Sequence, residues 1–172
     1  MTNQPLRSVA FAGKRATLIG SEIKVGDKAP DCKLVANNLS LVGLDDYAGK
    51  VRLISVVPSL DTGVCDAQTR RFNKEATDFG DHVVVLTVSA DLPFAQKRWC
   101  GAADIERVIT LSDYRDMSFG DAWGTHMQEV RLESRAVFVV DSSGTVTYAE
   151  YVPDASSHPQ YEAAIAAVKQ AQ

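Results

Sequence analysis

The sequence predicts an α/β fold in which a mixed central sheet is covered by helices on both sides. Three continuous apolar runs, typical of strands buried on both faces, alternate with helical patterns. An antiparallel hairpin and a last helix follow them. These runs are VRLISVV (51–57), HVVVLTVSA (82–90) and RVITLSD (107–113). The 172 residues, 45% of them hydrophobic, fit one domain over 1–172 with a sizeable core.

The chain before the first buried strand predicts a short hairpin at about residues 8–20. VAFAG and ATLIG are separated by Lys14 and Arg15, directly after Gly13. In the next segment, residues 25–36, Pro30 excludes a helix, and we expect a turn followed by a short extended piece.

Two helices are predicted between the buried strands. The first has one apolar face with steps of four and three residues, and Gly80 is expected to end it. The second starts with Pro93 in its first turn and is expected to end before Gly101. The face of the first helix consists of Cys65, Thr69, Phe72, Ala76 and Phe79.

A hairpin over residues 135–152, turning at residues 142–144, and an alanine-rich helix over residues 158–170 complete the pattern. Strands alternating with helices, then an antiparallel hairpin, give the thioredoxin-like arrangement of a layered α/β fold.

Charge and hydropathy exclude several classes of partner. The formal net charge is −4 and the pI about 5.3, so no basic surface for nucleic acid or an anionic membrane is expected. No apolar run approaches the ~20 residues that span a bilayer. Residues 1–20 lack the apolar core of a secretory signal. We therefore expect a cytoplasmic protein.

Three cysteines, Cys32, Cys65 and Cys100, are an odd number and too few for a disulfide-stapled scaffold. No CxxC motif is present, and the three histidines stand at no ligand spacing from the cysteines, so no metal site is predicted. In a reducing compartment a cysteine pair is more often catalytic or redox-active than structural.

Cys65 lies in the first turn of its predicted helix, where free N–H groups and the macrodipole favour a thiolate, the nucleophilic form. Asp61 and Thr62 are the capping candidates. Only the hydroxyl of Thr62 can also donate to a thiolate or a peroxide oxygen. Pro58 offers an apolar wall without an N–H group. The alternative is that Cys65 is a buried hydrophobe packed beside Phe72.

Cys100 is predicted at the C-terminal end of its helix, where the macrodipole disfavours an anion. The different helix positions of Cys65 and Cys100 suit two different roles. One thiol would react and become a sulfenic acid, and the second would condense with it to a disulfide. The separation of 35 residues does not show that the two sulfurs can meet. Cys32 has no activating context and is expected to be a passive thiol.

PSLDTGVC (58–65) fits the PxxxTxxC signature of the peroxiredoxins. Together with SADLPFAQKRWCG (89–101), it is similar to the thiol peroxidase subfamily, the atypical two-cysteine peroxiredoxins. Further matches are VAFAG, TLIG, VGDKAPD, VITLSD and RAVFVVD, so that the resemblance covers nearly the whole chain.

The resemblance implies that Cys65 is the peroxidatic and Cys100 the resolving cysteine of one subunit. It also implies that Thr62 hydrogen-bonds the sulfur, that Pro58 shields it, and that Arg135 is the active-site arginine. The residues alone did not distinguish Arg135 from four other arginines, Arg70, Arg71, Arg115 and Arg131. Family members are typically homodimers, need no cofactor, reduce hydrogen peroxide and alkyl hydroperoxides, and are recycled by thioredoxin.

The chain departs from this family in three places. Cys32 replaces an aromatic residue, which would let a third thiol join mixed disulfides. Glu133 and Ser134 replace more apolar residues and are expected to weaken the field of Arg135. Residues 126–134, HMQEVRLES, carry no signature and are expected to form a loop at the mouth of the site.

The sequence thus predicts a hydroperoxide reductase. A peroxide-sensing switch that uses the same disulfide stays open, because the same residues would serve it. A thioredoxin-fold disulfide oxidoreductase is a third hypothesis, against which the absence of CxxC argues.

Overall fold

The computed structural model describes residues 6–172. Residues 1–5, the start of the segment predicted to lack a secretory signal, lie outside the described residues. None of the helices between residues 6 and 172 is long and apolar enough to cross a membrane. The α-helices are α1 (Gly63–Glu75), α2 (Pro93–Ala103), α3 (Ser118–Trp123) and α4 (Tyr161–Ala171). The strands are β1 (Ser8–Phe11), β2 (Lys14–Ile19), β3 (Leu34–Ala36), β4 (Leu41–Val42), β5 (Val51–Val56), β6 (Val83–Ser89), β7 (Val108–Ser112), β8 (His126–Met127), β9 (Leu132–Glu133), β10 (Ala136–Val140) and β11 (Val146–Tyr151).

The central sheet within residues 6–172 has the strand order β11-β10-β5-β6-β7-β3-β4. Strands β5, β6 and β7 are parallel, whereas β10, β11, β3 and β4 pair antiparallel. In β5, Ile54 pairs with Leu86 of β6 on one side and with Phe138 of β10 on the other. The predicted mixed sheet is confirmed.

Helices cover both faces of this sheet, as predicted. On one face, Phe72 of α1 and Val168 of α4 pack in a cluster with Leu53. On the opposite face, Phe119 and Trp123 of α3 stack with ring centroids 5.3 Å apart. Because both faces are buried, strands β5, β6 and β7 are apolar at most of their positions.

A second, four-stranded sheet has the order β1-β2-β8-β9. The predicted N-terminal hairpin is confirmed as β1 and β2. The prediction of a loop over residues 126–134 is wrong, because β8 and β9 pair there and Leu18 faces Met127. Strands of two residues are too short to show a period of two, so no pattern indicated them.

The predicted ends of the two helices between the buried strands are both wrong by about one turn. Helix α1 ends at Glu75 rather than next to Gly80, although Ala76 and Phe79 remain buried. Helix α2 continues through Gly101 to Ala103 and ends where Asp104 adopts a left-handed backbone with φ 52°. Cys100 therefore lies within the last turn of α2. Its carbonyl oxygen accepts hydrogen bonds from the backbone N–H groups of Asp104 and Ile105, directly after the helix.

Candidate active site

The loop between β5 and α1 places Cys65 at the start of a helix. Thr62 is the N-cap residue, with an extended backbone, and its carbonyl accepts the first helical bond from the Asp66 N–H group (2.9 Å). Cys65 is the third residue of α1 and is fully buried. The prediction of a first-turn cysteine is confirmed, and of the two capping candidates the structure selects Thr62 rather than Asp61.

The Thr62 hydroxyl contacts the sulfur instead of capping the backbone. Its Oγ1 lies 2.7 Å from Cys65 Sγ and 3.0 Å from the carbonyl oxygen of Ser59. A thiolate and a carbonyl only accept hydrogen bonds, so the single hydroxyl proton goes to one of them. Ionisation of Cys65 therefore draws that proton towards the sulfur, which stabilises the anion.

Arg135, at the start of the segment leading into β10, reaches the same sulfur from another element. Its Nη2 lies 3.2 Å from Cys65 Sγ, and the residue is 1% exposed. Nε donates to the carbonyl oxygen of Ala155 (2.9 Å), and Nη1 donates to Gln68 Oε1 (2.8 Å). A buried guanidinium with all three nitrogens engaged is fixed in position and adds positive charge beside the sulfur.

Gln68 was missed by the sequence analysis. It lies three residues after Cys65 on the buried face of α1, holds Arg135 through Oε1, and donates from Nε2 to Ser55 Oγ (2.7 Å). The available signal was an uncharged polar residue on the core-facing side of a predicted helix. Because buried polar groups are hydrogen-bonded, such a residue indicates a polar partner in the interior.

Asp91 was also missed, although it stands inside the quoted SADLPFAQ motif. One carboxylate oxygen accepts from Ser59 Oγ (2.7 Å), and the other accepts from the Leu60 N–H group (2.8 Å) and Ser89 Oγ (2.7 Å). These hydrogen bonds connect the loop that carries Thr62 to the end of β6.

A cleft of about 260 Å³ opens beside the sulfur and is mostly apolar. Its lining comes from the β1–β2 turn, the loop that starts α1, Arg135 and residues 155–156, and residues 126–134 are not among the described lining residues. The expectation that 126–134 shapes the mouth is therefore wrong. The lining residues are Phe11, Ala12, Pro58, Thr62, Gly63, Val64, Arg135, Ala155 and Ser156.

Cys100 has different surroundings. It is half-buried, its Sγ lies 3.6 Å from Thr110 Oγ1, and it borders a separate cleft with Asn37 and Ile109. Burial raises the pKa of the Cys100 thiol, although the contact with Thr110 opposes this. All three cysteines of the described chain are unbridged. The structure is thus a reduced state in which the two sulfurs occupy separate sites.

Cys32 lies in the main hydrophobic core and is 5% exposed. Burial first, and the charges of Asp113 and Asp31 next, raise the pKa of its thiol far above the ordinary value. Cys32 is inaccessible in the folded chain, which supports the passive interpretation and argues against its joining mixed disulfides.

Glu133 lies in β9, two residues before Arg135. The residue is fully buried and accepts a hydrogen bond from the Thr125 hydroxyl. Burial first, and then the neighbouring Asp113 carboxyl, raise its pKa well above the ordinary value. The Ser134 N–H group donates to the Thr125 carbonyl (2.7 Å). In the described residues the Arg135 side chain hydrogen-bonds to Ala155, Gln68 and Cys65 and not to Glu133 or Ser134. Among residues 6–172 no three side chains of the metal-ligating types cluster.

Known proteins are similar to this chain in sequence. The Redoxin family matches residues 24–165. A thiol peroxidase of Halalkalibacterium halodurans is 61% identical over 96% of this chain and 99% of its own length. A thiol peroxidase of Bacillus subtilis is 58% identical over 95% and 98%.

Solved structures agree with this likeness. A peroxiredoxin-like protein from Aquifex aeolicus superposes with a TM-score of 0.89 at 37% identity, over 96% of this chain and 98% of that one. Mycobacterium tuberculosis AhpC, at 21% identity, superposes with a TM-score of 0.71 over 87% and 93% and shows the fold alone.

The thioredoxin-type fold and the helix-start cysteine define a thiol-dependent oxidoreductase of the redoxin class. Within that class, the chain belongs to the thiol peroxidase family of the peroxiredoxins, whose members are enzymes that reduce peroxides with a thiol.

Proposed function

We propose that Cys65 is the nucleophile of this peroxidase. One observation carries the assignment: Cys65 Sγ is fully buried at a helix start, with the Thr62 hydroxyl at 2.7 Å and the Arg135 guanidinium at 3.2 Å. Both donors stabilise a thiolate, and the charged one contributes more than a neutral hydrogen bond.

In the first step the Cys65 thiolate attacks the terminal oxygen of a hydroperoxide. The S–O bond forms as the O–O bond breaks, and the departing oxygen takes a proton to become water or an alcohol. Arg135 and Thr62 point at the place where negative charge passes from sulfur to oxygen, so they also stabilise the transition state. Pro58 keeps one side of this cleft apolar.

In the second step the Cys65 sulfenic acid condenses with the Cys100 thiol. A disulfide forms and water leaves, so the atoms balance. The sulfurs occupy separate sites in the reduced chain, and disulfide geometry requires Cα atoms within roughly 7 Å. We propose that local unfolding of α1, α2 or both brings the sulfurs together before the bond forms.

A dithiol protein of the thioredoxin type then reduces the disulfide, which completes the cycle without a metal or an organic cofactor. Hydrogen peroxide and alkyl hydroperoxides are the proposed substrates, and the mostly apolar lining of the cleft favours an organic group. We further propose a homodimer of single-domain subunits in the cytoplasm, where reduced cysteines persist.

Steady-state peroxide consumption, coupled to thioredoxin, thioredoxin reductase and NADPH, tests this function. Cys65→Ser should abolish turnover, whereas Cys100→Ser should still consume one peroxide per chain but lose recycling. Retained turnover in Cys65→Ser contradicts the assignment. Oxidation of the wild type that stops after one equivalent despite thioredoxin would favour the peroxide-sensing switch.

A further inference from the structure

The two helices that carry the cysteines are joined by a cluster of three side chains that the proposed chemistry does not use. Asp66 and Arg70 lie on α1, and Trp99 lies on α2. Asp66 directly follows Cys65, and Trp99 directly precedes Cys100.

The Asp66 carboxylate makes the central contacts of this cluster. Its Oδ1 accepts the indole N–H of Trp99 (3.1 Å), and its Oδ2 accepts Arg70 Nε (2.8 Å). Arg70 Nη1 continues to the carbonyl oxygen of Ala103 in the last turn of α2 (3.2 Å), and its guanidinium lies 5.7 Å from the centre of the Trp99 ring. Each of these contacts except the Asp66–Arg70 pair crosses from α1 to α2.

Trp99 also contacts the site itself. Its partly buried ring packs against the small hydrophobic cluster of Val57, Leu60 and Cys65. Any movement that brings Cys100 towards Cys65 displaces the residue next to Cys100. The indole N–H, its carboxylate partner and the packing of the ring are therefore lost or rearranged in that movement.

We propose that Asp66 is a positioning residue that, through Trp99 and Arg70, latches α1 to α2 and sets the rate at which the oxidised site opens for disulfide formation. This inference rests on the proposed function, because it concerns the second step. With the latch closed, Cys65 keeps its two donors and reacts with peroxide. With the latch open, the sulfenic acid reaches Cys100. The reaction is the condensation given above, in which one S–S bond forms and one water leaves.

The strength of the latch predicts the size of the effect. Asp66 and Arg70 are partly exposed, with side chains 34% and 49% accessible, so their ion pair contributes little by itself. The indole-to-carboxylate bond is charge-assisted and adds more. Removing it should speed disulfide formation about fivefold, since bonds of this kind are worth about 1 kcal/mol after solvent screening.

The test measures the second step separately. One equivalent of hydrogen peroxide is mixed with the reduced protein in a quenched-flow instrument, free thiols are alkylated, and intact masses give the rate from sulfenic acid to disulfide. Asp66→Ala and Trp99→Phe should each accelerate this rate about fivefold. The double variant should be no faster than either single one, and Asp66→Asn, which keeps an acceptor for the indole, should be intermediate.

Glu75→Ala is the matched control, because Glu75 makes the same type of i,i+4 ion pair with Arg71 on α1 (2.9 Å) but reaches no residue of α2 among the contacts of the described chain. Its disulfide rate should equal that of the wild type. In a Cys100→Ser background, Asp66→Ala should change the rate of sulfenic acid formation by less than about twofold, because the latch acts after that step.

An unchanged or slower second step in Asp66→Ala, an equal acceleration in Glu75→Ala, or additive effects of Asp66 and Trp99 would overturn the latch while leaving the proposed function intact. A wild type that consumes peroxide but forms no bond between Cys65 and Cys100 would instead overturn the proposed second step, and the latch with it.

Discussion

Replacing Arg135 by glutamine tests the electrostatics of the site. The substitution removes the positive charge 3.2 Å from Cys65 Sγ but keeps a polar side chain. Coulomb's law at that distance and an effective dielectric constant of about 20 gives about 5 kcal/mol as an upper bound. The cost of burying both ions offsets part of it, and measured charged hydrogen bonds contribute about 1.5–3 kcal/mol.

We therefore expect the second-order rate constant for peroxide to fall about 10- to 100-fold in Arg135→Gln. Stopped-flow mixing of reduced protein with limiting peroxide measures it. Arg135→Lys keeps the charge, but its three N–H groups sit on one nitrogen and cannot reproduce the fork that reaches three separate acceptors. Its rate should therefore lie between those of the wild type and the glutamine variant.

Arg52→Gln provides the matched control. Arg52 is also a buried arginine, 2% exposed, but it donates to the carbonyls of Leu44 and Asp141 instead of contacting Cys65. This variant should lose stability in a urea titration and keep the wild-type rate constant. A rate constant for Arg135→Gln within twofold of the wild type would refute the electrostatic role of Arg135.

Three further outcomes are expected. Thr62→Val, which removes the hydroxyl donor at nearly constant volume, should lower the same rate constant about tenfold, while Thr62→Ser retains it. Glu133→Gln should become more stable relative to the wild type as the pH rises. The raised pKa of Glu133 means that the folded wild type binds more protons than the unfolded chain, so wild-type stability falls as the pH climbs above the ordinary value of 4.5. Urea midpoints at about pH 5 and about pH 8 measure this, and parallel curves for the two proteins would contradict the raised pKa of Glu133. Cys32→Ala should cost about 1 kcal/mol of unfolding free energy and leave turnover unchanged, so a loss of turnover would contradict the passive role.

The central strands were predictable because the fold buries both of their faces. Val51–Val56 is apolar at most of its positions and lies between β6 and β10. Strands β8 and β9 were not predictable, since they have two residues each. Strand β8 pairs with β2, more than a hundred residues away, and β9 pairs with β8. The helix ends were wrong because Gly80 lies beyond the end of α1, and Gly101 is tolerated inside the last turn of α2.

The residues of the site likewise divide into those that local spacing predicts and those that it does not. Pro58, Thr62 and Cys65 belong to one local segment, so their spacing predicts a shared geometry, which the structure shows. Arg135 lies 70 residues from Cys65 along the chain, and only the family resemblance indicated it. Gln68 and Asp91 act through tertiary hydrogen bonds, which leave no periodic pattern in the sequence.

The most direct test of the account is a single turnover in which each thiol is identified. Reduced protein receives one equivalent of peroxide, free thiols are alkylated, and peptide masses report the state of every cysteine. Cys65 and Cys100 should lose their thiols together and be recovered as one intramolecular disulfide, while Cys32 is alkylated in full. Loss of the Cys32 thiol, or a disulfide without Cys65, would contradict it.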